Sequence, residues 1–371
     1  MIDSITLKNF KCFEDDSIKL SKLNLLCGGN SVGKSSIIQS ILLLKQNEDN
    51  ILRSILLSEL NKGMTYMSLN GPYIKLGSIK ELLYTEAKDD IISISLKFKD
   101  HDISISNINN SKEWSVSSNI PNGSIKLFQF KNPLKYISSN RITPENAYNL
   151  SEEDINKNNI GINGEFTAHL LAEKKHSEIP NISLKHPKSI TNLLLENVSN
   201  WLSEISENIE INSRILPDVN QAILRFKYSY SQTQSNELTP QNVGFGLTHV
   251  LPIITSILTA KRNDVIIIEN PEAQLHPKAQ AKLAKLFCLA ANQGTQLIIE
   301  THSDHILNSI RAETKDSTIS NEKSKIYFFQ KDLEKFKAKK TEIKINKDGS
   351  VDQWPSGFFD EWDNQLDRLL W

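Results

Sequence analysis

Eight consecutive residues, Gly28-Gly29-Asn30-Ser31-Val32-Gly33-Lys34-Ser35, fit the pattern G-x-x-x-x-G-K-[ST] at every fixed position. In such a loop the glycines let the backbone curl until successive N–H groups point inward at phosphate oxygens. Lys34 brings a mobile cation to the β- and γ-oxygens, and the Ser35 hydroxyl is a ligand for Mg²⁺. Ser36 follows within the opening turn of a helix, whose N-terminal dipole favours the same anion. The loop is therefore predicted to bind a nucleoside triphosphate with Mg²⁺.

A second chemically equipped segment is Val265-Ile266-Ile267-Ile268-Glu269-Asn270-Pro271-Glu272. Four apolar β-branched residues read as a buried parallel strand that delivers a carboxylate to its C-terminal edge, where Mg²⁺-bound water is held in phosphate-loop proteins. Downstream, Leu297-Ile298-Ile299-Glu300-Thr301-His302-Ser303 is a further strand that brings His302 to the same edge. Gln46, at the end of the first helix, is a candidate contact to metal or water, with a solvated helix end as the alternative.

The elements that must position these groups follow from periodicity. Residues 1–27 read as strands, and the apolar stripe Ile37, Ile38, Ile41, Leu42 and Leu44 makes Gly33–Gln46 a helix. Strands are expected at Ile91–Phe98, Ile103–Ser106, Ser124–Phe130 and Tyr136–Ser138. A polar stretch at Pro144–Gly164 leads into helical spacing at Glu165–Lys174 and Ile190–Ile209, punctuated by Pro180 and Pro187. Val243–Lys261, Pro277–Asn292 and Ser303–Arg311 read as helices that alternate with strands Val265–Glu269 and Gln296–Glu300; Ile326–Phe329 and Ile343–Ile345 close the series. This is an α/β chain: a mixed-sheet lobe plus a doubly wound parallel core. We expect one domain over 1–371, made of an N-terminal lobe (1–143), a mainly helical insertion (144–240) and a C-terminal lobe (241–371). No heptad pattern is sustained, so no coiled-coil arm is expected.

The chain has 371 residues, 39% of them hydrophobic and 23% charged, which is enough to bury a sizeable core. Lys and Arg number 43 against 44 Asp and Glu, a net charge of -1, so no basic excess indicates nucleic acid as a partner, although a local groove stays open. Three scattered cysteines form neither a disulfide framework nor a metal motif. Apolar runs such as Ile41–Leu44 fall far short of the 18 or so residues of a membrane helix, and the alternating N-terminus is no signal peptide. The expectation is a cytoplasmic protein with no membrane partner.

The phosphate loop, the strand I-I-I-E-N-P-E with Leu275-His276-Pro277, and E-T-H-S together resemble the ABC-type ATPases of the SMC, RecF and OLD group. So does the opening Ile5-Thr6-Leu7-Lys8-Asn9-Phe10-Lys11-Cys12-Phe13. Asn242-Val243-Gly244-Phe245-Gly246-Leu247-Thr248 resembles a degenerate ABC signature, with Thr248 where serine is usual. A narrower resemblance is to ATPase subunits of bacterial anti-phage systems of the PARIS and Septu kind. There Trp354–Glu361, Tyr136–Arg141 with Pro144, and Gly161–Phe166 look like landmarks. The likeness covers both ends of the chain well and the middle poorly.

The resemblance implies a homodimer or higher oligomer, paired head to tail, with each ATP between one loop and the partner's signature segment. Gly244, Gly246 and Thr248 would be the contacts made in trans, and the first lobe would contribute to the adenine side. The family strand usually ends Asp-Glu-Pro-Glu, so alignment on Pro271 puts Glu269 at the metal-side aspartate and Asn270 at the catalytic glutamate. An amide cannot accept a proton. Glu272 then becomes the candidate base, with His302 on the γ-phosphate; another registry makes Glu269 the base. Slow hydrolysis is the expectation. The segment 144–240 has no room for SMC-type arms. The chain ends ten residues beyond Glu361, so the nuclease domain of OLD proteins is not expected. Asp15-Asp16 and Asp89-Asp90 read as turn or surface charge, not as a two-metal cluster. These points favour a regulatory ATPase acting on a separate effector, a nuclease or toxin. A RecF-like DNA-binding repair factor and a nucleotide-binding scaffold with little hydrolysis are the alternatives.

Overall fold

The computed structural model describes residues 1–56, 62–107, 111–119, 134–231, 233–332 and 334–370. The strand expected at Ser124–Phe130 lies outside them. In chain order the elements begin with β1 (Ile2–Phe10), β2 (Phe13–Lys19), β3 (Leu23–Gly28), α1 (Lys34–Gln46), α2 (Glu48–Leu56), β4 (Lys62–Tyr66) and α3 (Ile79–Leu82). There follow β5 (Ile92–Phe98), β6 (Asp102–Asn107), β7 (Glu113–Ser118), β8 (Leu134–Ile137), β9 (Tyr148–Asn149), α4 (Glu152–Asn156) and α5 (Thr167–Lys174). Next come α6 (Leu194–Ser203), β10 (Ile209–Leu216), β11 (Gln221–Tyr230), β12 (Thr233–Gln234), α7 (Phe245–Leu258), β13 (Val265–Glu269) and α8 (Pro277–Asn292). The series ends with β14 (Gln296–Glu300), α9 (Asp304–Lys315), β15 (Ser324–Lys331), β16 (Ala338–Ile343) and α10 (Glu361–Leu370).

The chain divides into two compact units. The first takes in Met1–Leu134, Lys325–Ile343 and Trp354–Trp371. Its six-stranded antiparallel sheet runs β2-β1-β5-β6-β7-β4. Alternation builds it: in β5, Ile92, Ile94, Leu96 and Phe98 are buried, while Ser93, Ser95 and Lys97 turn the other way. In the same unit β15 pairs antiparallel with β16 and neighbours β3, the buried strand that leads into the phosphate loop.

The second unit takes in Lys135–Ser324 and Lys344–Gln353. Here β13 and β14 pair in parallel, Val265 opposite Gln296 through Glu269 opposite Glu300. Val265–Ile268 and Leu297–Ile299 are apolar throughout, as burial on both faces requires, and each strand ends on a glutamate. Residues 144–240 belong to this unit and are not mainly helical. β10 and β11, of 8 and 10 residues, take as much of the segment as α5 and α6, of 8 and 10 residues. Helical spacing was expected as far as Ile209, but α6 stops at Ser203, and Asn208 adopts a left-handed φ of 61°. From Ile209 the sequence alternates with period two: Ile209, Ile211 and Ser213 are buried between exposed Glu210, Asn212 and Arg214. The pairing with β11 follows that alternation. The last expected strand, Ile343–Ile345, lies earlier, at β16. Among the described residues no helix is long and apolar enough to cross a membrane.

Candidate nucleotide site

The phosphate loop belongs to the first unit. Gly28 has φ 129°, Ser31 57° and Gly33 107°, all in the region glycine adopts without strain. A Cβ on Gly28 would lie 2.2 Å from the carbonyl oxygen of Phe329 in β15, and one on Gly33 would lie 2.7 Å from Cys12 Sγ. The two fixed glycines are thus required by packing before any phosphate arrives. Gly29 differs: a Cβ there would meet only the Val32 side chain, at 3.8 Å. The loop is a cradle braced from behind by β15 and the β1–β2 turn.

Lys34 is 3% exposed, yet its Nζ donates to the carbonyls of Gly28, at 2.9 Å, and Gly29. The ammonium therefore lies in the hollow of the loop. No acidic residue enters the first turn of α1, which carries Lys34, Ser35 and Ser36, so the positive end of the helix dipole is left uncancelled. This donor set fits a bound triphosphate. Beside the loop is a cavity of about 620 Å³, whose lining includes Ser31 and Val32 of the loop together with Lys11, Cys12 and Leu83. That volume lies within the range of about 300–1,000 Å³ usual for small-molecule sites.

The acidic strand ends belong to the second unit. Register sets Glu269 directly opposite Glu300. The Glu269 carboxylate accepts from the Ser139 amide at 3.2 Å and from the Tyr136 hydroxyl. Burial, reinforced by Glu269, raises the Tyr136 phenol well above its ordinary value, so it stays a donor. Asn270 has φ 44°, and its amide donates to the Glu300 carbonyl at 2.8 Å. Glu272 accepts from the Thr301 hydroxyl at 2.8 Å and from the backbone amide of His302 at 2.7 Å. His302 meets Glu272 through its backbone, and its side chain is exposed. Glu269, Asn270, Glu272 and His302 are thus tied into one edge.

What fixes that edge is Arg141, 3% exposed. Its Nη1 donates to the carbonyls of Ser138, at 3.1 Å, and Glu269, at 2.7 Å; its Nη2 donates to Asn270, at 2.7 Å. Burial pushes the guanidinium down to about 10, against the pull of Glu272 and Glu269, and leaves it charged at neutral pH. Tyr136 and Arg141 were legible in the sequence only as landmarks; a single arginine after a strand carries no pattern that assigns it to a carbonyl clamp. Among the described residues no group of three or more His, Cys, Asp and Glu is arranged to hold a metal ion by itself.

The signature-like segment opens α7. Gly244 is its N-cap, and a Cβ there would meet nothing within 4 Å, so its backbone faces open space. Gly246 is committed within its own unit: a Cβ would lie 2.4 Å from the Gln274 carbonyl oxygen. Thr248 was expected to contact nucleotide in trans. It is 0% exposed, one helical turn in, and its hydroxyl is enclosed without a partner, so it does not face the surface of this chain. Gln46 was expected at a metal or water. Instead its Nε2 donates to the Ser68 carbonyl and its Oε1 accepts from the Tyr73 and Ile74 amides, which ties the end of α1 to the 68–74 segment.

A family model described as "AAA domain, putative AbiEii toxin, Type IV TA system" matches residues 23–308. The chain belongs to this AAA family. A second, described as "Protein of unknown function (DUF3696)", matches 319–369 and so takes in the tail read as a subgroup landmark. Among curated relatives, Endonuclease GajA of Bacillus cereus (strain HuB5-5) is 24% identical over 290 residues, 70% of this chain and 40% of that protein. OLD nuclease of Thermus scotoductus (strain ATCC 700910 / SA-01) is 22% identical over 324 residues, 82% of this chain and 59% of that protein. The chain thus spans less than two thirds of either relative.

The crystal structure of the SmcHead bound to the C-winged helix domain of ScpA covers 93% of this chain and 98% of its own, with a TM-score of 0.53 at 14% identity. The Smc head domain with an extended coiled coil, bound to the C-terminal domain of ScpA derived from Pyrococcus furiosus, gives 0.50 at 12% identity over 100% and 99%. The fold is that of the SMC and OLD-like ABC ATPase heads, as the motifs indicated.

Proposed function

We propose that this AAA-family chain binds ATP with Mg²⁺ on residues 28–36, pairs head to tail with further copies of itself, and hydrolyses ATP slowly. In this reading the ATP cycle governs a separate effector, a nuclease or toxin, in defence against phage. The observation that carries it is the phosphate cradle, with its two packing-locked glycines, buried Lys34 and acid-free helix start. The names of the relatives, an endonuclease and a nuclease, support the effector class.

Lys34 would exchange the Gly28 and Gly29 carbonyls for phosphate oxygens, and the Ser35 hydroxyl would be a metal ligand; the role proposed for Glu269 is to hold a metal-bound water. Mg²⁺, when bound, neutralises charge that builds on the phosphoryl oxygens. Glu272, oriented by Thr301 and the His302 amide, is the proposed base, with Glu269 as its alternate. Asn270 positions water without taking its proton, which accounts for slow turnover. Gly244, open at the N-terminus of α7, offers its backbone amide to a neighbouring copy's γ-phosphate.

The test is titration of ATP and Mg²⁺ into wild type and Lys34→Ala, with molecular mass measured with and without nucleotide. Binding by wild type, its loss in the variant and nucleotide-dependent growth in mass are expected. Unchanged binding by Lys34→Ala would remove the basis of the reading. Co-purification from the host with a nuclease or toxin tests the effector.

A further inference from the structure

The cavity beside the phosphate loop has a wall that no nucleotide motif accounts for, the turn between β15 and β16. Two backbone hydrogen bonds shape that turn, Asp332 N–H to the Lys337 carbonyl at 2.9 Å and Lys337 N–H to Lys335 at 2.7 Å. Its base is pinned: the Ala338 amide donates to the Cys12 carbonyl at 2.9 Å, and the Lys337 ammonium pairs with Glu14 at 3.0 Å. Phe336 stands beside that pinned base, 71% exposed, between Lys335 and Lys337. A lone exposed phenylalanine needs no explanation. This one lines the same cavity as Ser31 and Val32 of the loop, and among the described residues that line it no other is aromatic.

We propose that Phe336 is the stacking platform for the base of the nucleotide held by the 28–36 loop. The inference rests on the nucleotide reading above and adds to it a specificity residue on a separate element. The loop binds phosphate, which every nucleoside triphosphate shares. The turn supplies the flat apolar face that a heterocycle covers, and stacking of this kind is sequence-tolerant because every base has a π-face. A bicyclic base covers more of the ring than a monocyclic one, so purine triphosphates should bind more tightly than pyrimidine triphosphates.

The experiment compares ATP with inorganic tripolyphosphate, each with Mg²⁺, on the full chain as wild type, Phe336→Ala and Phe336→Trp. For Phe336→Ala, ATP affinity should fall by about tenfold or more, in line with alanine substitutions at base-stacking positions. Its tripolyphosphate affinity should stay within about twofold of wild type, since the phosphate contacts lie elsewhere. Phe336→Trp should keep ATP affinity, and ATP, but not tripolyphosphate, should quench its added fluorescence. Equal ATP affinity in wild type and Phe336→Ala overturns the proposal. So does an equal loss for both ligands, which would mean the loop itself had moved. A wild type that binds neither ligand overturns the nucleotide reading as well, so the two failures are told apart.

Discussion

Arg141 donates to the carbonyl oxygen of Asn270 at 2.7 Å, and that carbonyl belongs to a residue with a left-handed φ of 44°. A non-glycine residue holds that conformation at a cost of order 1 kcal/mol or more, and it persists where its surroundings over-determine it. Here the guanidinium clamps Glu269 and Asn270 from one side, while Asn270 N–H is bonded to Glu300 from the other. Glu272 is thereby turned back over the end of β14 to reach Thr301 and His302.

Arg141→Met should therefore do two separable things. Loss of charged hydrogen bonds to buried carbonyls should cost about 3 kcal/mol in urea unfolding. ATP turnover should fall by more than about tenfold, since each 1.4 kcal/mol of lost transition-state positioning is a factor of ten. Affinity for ATP measured without Mg²⁺ should hold, because the contacts proposed for residues 28–36 with phosphate do not involve Arg141 or Glu269. Arg141→Lys, which keeps charge without the fork, should fall between. Wild-type turnover in a folded Arg141→Met would show that the clamp is structural only.

The loop, the two acid-bearing strands and the helices after them were legible in the sequence because local pattern specified each: apolar runs of fixed length, then glycines or acids at fixed spacing. The hairpin of β10 and β11 was missed because its alternation starts directly after a helical stripe, and Ile209 fits both periods. Thr248 and Gln46 were misplaced for another reason. Residue type and sequence position suited a ligand, but the direction of each side chain depends on packing partners distant in sequence, which no local pattern encodes.

Gly244 and Gly246 should respond oppositely to alanine. Gly246→Ala forces a Cβ to within 2.4 Å of the Gln274 carbonyl oxygen, a backbone atom that cannot step aside, so melting temperature should fall by several degrees. Gly244→Ala meets nothing and should melt like wild type, yet its methyl stands where a second copy's nucleotide would approach. It should lose ATP-dependent assembly, read by light scattering. Normal assembly of Gly244→Ala would separate α7 from the trans site.

The Glu272 carboxylate can be tested without unfolding the edge. Glu272→Gln removes the proton acceptor, while Thr301→Val removes only its hydroxyl partner at 2.8 Å. Single-turnover ATP cleavage should fall about 100-fold or more in the first, within the usual contribution of a general base, and only severalfold in the second. Asn270→Asp tolerates the same left-handed backbone and restores a carboxylate; faster cleavage there would mark position 270 as the site of the weakened step. If Glu272→Gln cleaves like wild type, Glu269 inherits the role of base.

His249 gives the edge a pH dependence whose sign is fixed. Its ring packs against Phe245 with centroids 4.6 Å apart and the planes tilted by 41°, and its Nδ1 is buried without a partner. Burial, and then the Arg141 charge, push it from its ordinary 6.5 down to about 4. Above pH 6.5 the imidazole is neutral in folded and unfolded chains alike and contributes no slope. As pH falls from 6.5 toward 4 the unfolded chain takes the proton first, so stability is lost across that window and levels off below it. Because the ring is only partly buried, the loss at pH 5 should be about 1–2 kcal/mol, less than the full shift implies. His249→Gln removes this one titration and leaves those of other histidines in place. Urea unfolding of both proteins at pH 7.5 and pH 5 should therefore show the wild type losing more stability than the variant. Equal losses would mean that His249 is already solvated in the folded chain and that Arg141 does not face it.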